Sequence, residues 1–270
     1  MLGSDITNDE FDRLRRFFEK ASGISLSDSK RQLVCGRLSK RLRALSLTTY
    51  SEYLAHIGKA ENAGERQAAV DLLTTNETHF FREPRHFERL RDELQARMRL
   101  GGLGTIRIWS AACSTGEEPY SLAMTLSELL GDRPWSITAS DLSTKVLADA
   151  QRAIYGRQRA EEVPSDLAHK YMLEGFDEYD GMYRIDPALC RRVSFRQLNL
   201  MEPLPAMEPF DYIFLRNVLI YFDVAAKRRI VEAVAQKLKP SGLLFIGHSE
   251  TLGGVTDAVR QVVPTVYRRE

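Results

Sequence analysis

Residues 1 to about 75 carry apolar positions at helical spacing, separated by short polar links. Phe11, Leu14, Phe17 and Ala21 form one stripe, and Thr7 with Glu10 supplies the capping box that starts it. Val34, Leu38, Leu42 and Leu45 form a second stripe, opened by Ser27 or Asp28 as a cap. Tyr50 to Ile57 and Arg66 to Leu73 read as two further short helices, with Asn62, Ala63 and Gly64 breaking the pattern between them. Thr74 to Glu83 is polar apart from Phe80 and Phe81, and its lack of Gly or Ser richness predicts an ordered connector. Pro84 suits the first turn of the next helix, with Phe87, Leu90, Leu94 and Met98 buried and Gly101-Gly102 as its end.

From Thr105 the pattern changes to short β-rich runs alternating with helices. Thr105 to Trp109, Trp135 to Ser140, Phe210 to Leu215 and Leu243 to Gly247 read as buried strands, and Val262 to Tyr267 as the last one. Helices follow over Tyr120 to Leu130, Ser143 to Gln151 and the stretch holding Ile230, Val234 and Leu238, which Asp223 caps. Lys239 to Gly242 reads as a turn. Residues 152–192 interrupt the rhythm with turn signals and short strands at Met182 to Ile185 and Arg192 to Phe195, the latter able to run into the main sheet. The fold class is therefore α/β: a doubly wound, Rossmann-like, mostly parallel sheet, with a small N-terminal all-helical domain and an inserted β subdomain. The expected domains are 1–83 with the connector, 84–270, and the insert at 152–192.

At 270 residues the chain is long enough for two domains, and its net charge of +1 gives no overall reason to expect a nucleic-acid partner. There is no apolar run long enough to span a membrane and no signal sequence at the start. Cys35, Cys113 and Cys190 match neither a disulfide framework nor a zinc pattern, which fits a cytoplasmic protein with no metal. The charge that matters is local. Lys30, Arg31, Arg37, Lys40, Arg41 and Arg43 crowd the second helix, as a solvated face or as a docking surface for an acidic partner.

The candidate chemistry gathers around Ser110 to Ala123. A small-residue loop between strand and helix lets backbone approach a ligand at a helix N-terminus. The loop is neither Gly-x-Gly-x-x-Gly nor a P-loop, and its Glu117 and Glu118 suit a cationic ligand such as a sulfonium better than a phosphate. Either glutamate alone would serve equally well to complement the helix dipole. Asp141 ends the second strand, where a carboxylate can accept both ribose hydroxyls or cap the next helix. Arg216 and Asn217 sit at the C-terminal end of another strand, and Asn76, Thr78 and Arg82 can line an interdomain cleft.

The segments WSAACSTGEEPYSLA, TTNETHFFRE, FLRNVLIYF, LKPSGLLFIGHSE and TVYRR together resemble the chemotaxis receptor methyltransferases, the CheR family, from about residue 5 to 268. The resemblance implies methyl transfer from S-adenosylmethionine to glutamate side chains of methyl-accepting chemotaxis receptors. It implies cofactor contacts from Asn76, Thr78, Arg82, Glu117, Asp141, Asn199, Leu200, Arg216 and Asn217. It implies that the basic helix, through Arg37, Lys40, Arg41 and Arg43, grips the receptor's cytoplasmic helices, with a monomer reaching the membrane only through the receptor. Gly175 to Gly181 occupies the loop that in some members binds a receptor tail, but Phe176 and Asp177 depart from the small-residue pattern of tail binders.

A glutamate carboxylate is already ionised at neutral pH and needs no general base to attack a sulfonium methyl group. Positioning groups are expected instead: Tyr221, hydrogen-bonding the glutamate or crowding the methyl group, and Arg97, fixing the carboxylate, against the plainer readings of a packing tyrosine and one of many surface arginines. The competing readings are a catalytically weak signalling module that binds S-adenosylmethionine or its product and a partner, and a methyltransferase for small molecules or nucleic acid.

Overall fold

The computed structural model describes residues 6–101 and 104–269. The N-terminal helices are α1 (Asn8–Ser22), α2 (Arg31–Ala44), α3 (Tyr50–Gly58) and α4 (Ala63–Leu73). They close on one apolar core that includes Phe11, Leu14, Phe18, Val34, Leu38, Tyr53, Ile57 and Leu73. The capping box at α1 forms as expected, with Glu10 Oε2 accepting from the Thr7 amide at 3.0 Å. The other Glu10 oxygen accepts from the amide and hydroxyl of Ser51, so one carboxylate joins the starts of α1 and α3. Two local expectations fail. A 3-10 turn at Asp28–Lys30 precedes α2, and neither Ser27 nor Asp28 caps it by a side chain. Helix α4 starts at Ala63 and runs through Gly64, because the break is already made by a 3-10 turn at Ala60–Asn62.

The basic helix divides by its wheel. Arg37 Nη1 donates to the carbonyls of Leu72 and Thr74 at 2.9 and 2.8 Å, closing the end of α4 and the start of the connector. Arg41 makes a two-point contact with Glu65, which also accepts from the Tyr53 hydroxyl at 2.9 Å. Spaced four apart, these two partly exposed arginines lie on the seam with α4, where each already has partners within the fold. Lys30, Lys40 and Arg43 are exposed.

The second half opens with α5 (Arg85–Arg99), β1 (Ile106–Ser110), α6 (Glu117–Leu130), β2 (Trp135–Asp141) and α7 (Thr144–Arg152). The insert holds β3 (Ile154–Gly156), α8 (Arg157–Ala160), α9 (Ser165–Tyr171), β4 (Met172–Glu174), β5 (Met182–Ile185) and α10 (Pro187–Cys190). Then come β6 (Val193–Gln197), β7 (Phe210–Leu215), α11 (Val224–Ala235), β8 (Leu238–Ile246), β9 (Val259–Val263) and β10 (Val266–Arg269). The main sheet runs β6-β2-β1-β7-β8-β10-β9, parallel from β6 to β8, with β10 antiparallel to both its neighbours. Every residue of β7 is buried, as a central parallel strand covered on both faces requires. Phe214 stacks on Phe245 at 4.4 Å on one face, and Trp109 meets Phe210 at 5.7 Å on the other.

Three readings meet this sheet, and two of them are corrected. The last strand is a hairpin, β9 and β10, turning at Pro264 and Thr265. Lys239 to Gly242 does not leave the sheet but forms an irregular stretch of β8, with Ser241 at φ 63. The third, the strand after the insert, ran into the main sheet as the sequence allowed: Val193 to Gln197 pairs with β2, and of the insert's strands β3, β5 and β4 form the small separate sheet.

Arg97 is also placed away from the expected site. It lies in the last turn of α5 and donates to Asp211 Oδ1 at 2.9 Å, while Lys239 holds the other oxygen at 2.7 Å. Asp211 is at the start of β7 and Arg216 just past its end, roughly 16 Å away along the strand. Arg97 therefore braces the far edge of the sheet and does not reach the ligand side.

Replacing Arg37 by Ala removes a charged donor from two carbonyls, and is expected to destabilise by roughly 1.5–3 kcal/mol. Lys40→Ala should stay within about 0.5 kcal/mol of the parent. Thermal melts followed by circular dichroism check both; equal midpoints would remove the structural role of Arg37.

Candidate active site

The cleft lies where the connector and the helical unit meet the C-terminal ends of β1, β2 and β7. Its floor is the loop from Ala111 to Gly116. Ser114 and Gly116 both have positive φ, 48° and 98°. A Cβ on Gly116 would also sit 2.8 Å from the Tyr155 hydroxyl and 2.9 Å from Ala150 Cβ, so both conformation and space demand glycine there. The Ser114 amide donates to Asp141 Oδ2 at 2.9 Å, and its hydroxyl donates to the Asn76 carbonyl at 2.8 Å. Loop, second strand and connector are thereby joined at one residue.

Asp141 Oδ1 accepts from the Ser143 amide at 3.0 Å, and Ser143, not Asp141, caps α7. The Asp141 carboxylate is thus fixed by two backbone amides at the cleft wall. Burial pushes its pKa up against these bonds.

A buried ionic cluster forms the opposite wall. Arg216 donates to Glu118 Oε2 and Glu83 Oε2, both at 3.0 Å, and to the Arg82 carbonyl. Its side chain is 2% exposed. Burial alone would raise the Glu83 pKa, but Arg216, the His248 amide and the Asn217 side chain outweigh it and hold the carboxyl at about 2. Glu118 accepts from the Ser110 hydroxyl at 2.6 Å, and burial pushes its pKa up. Asn217, at φ 56, begins the turn that carries Tyr221. Buried Glu250 shapes that turn, accepting from the amides of Gly247, Asn217 and Ile220. A Cβ on Gly247 would lie 2.4 Å from Asn217 Nδ2, so the end of β8 must be bare.

Asn76, Thr78, Arg82, Asp141, Asn199, Leu200, Arg216, Asn217 and Tyr221 all line this one cleft. Asn199 is held by donating to the Ala21 carbonyl at 3.0 Å. Glu117 lies outside that lining. It is fully buried, accepts from the Thr115 hydroxyl at 2.7 Å and pairs with Arg159 of the insert at 2.6 Å. The next position along α6 is turned by about 100°, so Glu118, not Glu117, faces the cleft. Glu83 and Glu250 were not singled out from sequence, although Glu83 closes the polar connector and Glu250 follows directly on the last motif strand.

The SAM-binding domain of the CheR methyltransferases matches residues 76–268, and their all-alpha domain matches residues 9–74. The chain belongs to the CheR methyltransferase family. Among curated proteins, chemotaxis protein methyltransferase 2 of Pseudomonas aeruginosa is 44% identical over 264 residues, which is 97% of this chain and 93% of that one. The chemotaxis protein methyltransferase of Escherichia coli is 41% identical over 265 residues, covering 97% and 91%. That of Borreliella burgdorferi is 35% identical over 277 residues, covering 99% and 96%. A CheR methyltransferase takes S-adenosylmethionine as its methyl donor. The cleft suits that group: a carboxylate pinned by two amides at the end of β2, a loop of small residues, and acidic and amide side chains facing a cation.

Removing one partner from a buried ion pair leaves the others unpaired in low dielectric. Arg216→Met, which strands Glu83 and Glu118, is expected to destabilise by about 3–5 kcal/mol. Denaturant unfolding of the variant beside the parent measures this, and a loss under about 1 kcal/mol would show that the cluster is not a structural tie.

Proposed function

We propose that this chain transfers the methyl group of S-adenosylmethionine to glutamate side chains of methyl-accepting chemotaxis receptors, forming glutamate methyl esters. The observation that carries the reading is the amide-pinned Asp141 beside a cleft lined from both the helical unit and the strand ends. When bound, the cofactor supplies an electrophilic methyl group on a sulfonium. Asp141 accepts the ribose hydroxyls. Asn76, Thr78 and Arg82 hold the cofactor from the connector, Asn199 and Leu200 from beyond β6, and Arg216 and Asn217 from the end of β7. Glu118 replaces Glu117 as the acidic group of the α6 start that faces the cation.

Tyr221 stands at the cleft on the turn after β7 and orients the incoming carboxylate. The reaction needs no proton abstraction, so its acceleration rests on alignment, which can supply roughly 7–11 kcal/mol. The receptor's acidic cytoplasmic helices meet the exposed Lys30, Lys40 and Arg43 of α2, with Lys30 on the cleft itself. Among the described residues no helix is long and apolar enough to cross a membrane. The protein works in the cytoplasm as a monomer, and meets the membrane only through its receptor.

Calorimetry with S-adenosylhomocysteine should give micromolar or tighter binding, weakened about tenfold or more by Asp141→Ala; an undiminished affinity refutes the ribose contact. Methyl transfer from labelled cofactor to receptor-bearing membranes is the direct test, and a chain that binds cofactor but transfers nothing is a signalling module instead. Tyr221→Phe should lower kcat with cofactor affinity kept. Paired Lys40→Glu and Arg43→Glu changes should raise KM for receptor several-fold and leave cofactor affinity alone; an unmoved KM removes α2 from docking.

A further inference from the structure

We propose that Glu83, His86 and His248 form a binding site for a divalent transition-metal ion of the zinc class, behind the ionic wall of the cleft. The three residues come from the end of the connector, the first turn of α5 and the segment after β8. One ligand atom from each lies within 4.8 Å of the others. Glu83 Oε2 is 3.4 Å from His86 Nδ1 and 3.9 Å from His248 Nε2.

The hydrogen bonds around His86 say which nitrogen is a ligand. Thr265 Oγ1 donates to the Pro264 carbonyl at 2.6 Å, so toward His86 Nε2, 2.8 Å away, it acts as acceptor. With the Thr265 proton directed to Pro264, Nε2 is the ring donor and Nδ1 is left as the lone pair. That nitrogen is buried without a hydrogen-bond partner, on a residue 2% exposed, and it faces a carboxylate oxygen. His86 Nδ1 faces Glu83 Oε2 across 3.4 Å, and that oxygen also accepts from Arg216 Nη2 at 3.0 Å. A metal ion placed between them would coordinate the unpartnered Nδ1 and the carboxylate oxygen together.

The geometry is that of a three-ligand site. Bonds of about 2.0–2.1 Å in a tetrahedron put neighbouring ligand atoms roughly 3.4 Å apart. The Glu83–His86 spacing meets this, and His248, whose side chain is 50% exposed, is free to close the remaining gap and leave the fourth position to solvent. The Thr265 contact to Nε2 supplies the outer hydrogen bond that metal-bound imidazoles use to fix their tautomer. Two imidazoles and one carboxylate select zinc, cobalt, nickel or copper over magnesium or calcium. The same Glu83 holds Arg216 and Asn217, so an ion here would set the rigidity of the cleft wall.

The full-length chain carrying Cys35→Ser and Cys190→Ser, which removes the two partly exposed thiols, is titrated with zinc chloride by calorimetry in a non-coordinating buffer. One ion per chain is expected, with no heat from magnesium. His248→Ala should weaken zinc about tenfold or more while the metal-free melting temperature holds. Cobalt(II) should give visible bands of a four-coordinate site that this variant loses. No stoichiometric binding, or affinity and cobalt spectrum unchanged in His248→Ala, would overturn the site.

Discussion

Three segments distant in sequence close on one buried cation, Arg216. The connector brings Glu83, the start of α6 brings Glu118, and the end of β7 brings the arginine itself. Each carboxylate in this setting would be expensive to hide alone, and the guanidinium's fixed fork lets it serve both. Because the Arg82 carbonyl and the Asn217 side chain join the same cluster, the position of the connector against the sheet is set by electrostatics as well as by packing. The cleft exists because this tie holds its two sides together.

A second set of contacts reaches the same loop from the insert. Arg159 pairs with buried Glu117, and the Tyr155 hydroxyl donates to the Thr115 carbonyl at 2.8 Å while its ring meets Phe80 at 4.9 Å. The small sheet is therefore not an independent appendage. It braces the strained turn at Ser114 to Gly116, whose amide orients Asp141. In the proposed reaction, where a carboxylate meets a sulfonium with no acid–base pair, the rate is set by how well the two are held, which this rigidity serves.

Much of the architecture is readable from one dimension, because it rests on local rules. The Thr7–Glu10 box, the stripe of Phe11 and Leu14, the Asp223 cap and the wholly apolar Phe210 to Leu215 each specify an element without reference to anything distant. The misreadings fall where neighbours in space decide. Ser241 and the Pro264–Thr265 turn take their form from pairing with β7 and β8.

The amino-acid sequence by itself determined the alternation of strands and helices, the strand-end positions of Asp141, Arg216 and Asn217, and the family to which they belong, since periodicity and motif order survive without coordinates. Tertiary structure alone decided which of two adjacent glutamates faces the cleft, that Arg37, Arg41 and Arg97 are engaged inside the fold, and that Glu83 is the centre of a charged cluster. Those outcomes depend on the direction in which a side chain leaves its helix or strand and on what another segment places opposite it. Neither is encoded in spacing along the chain.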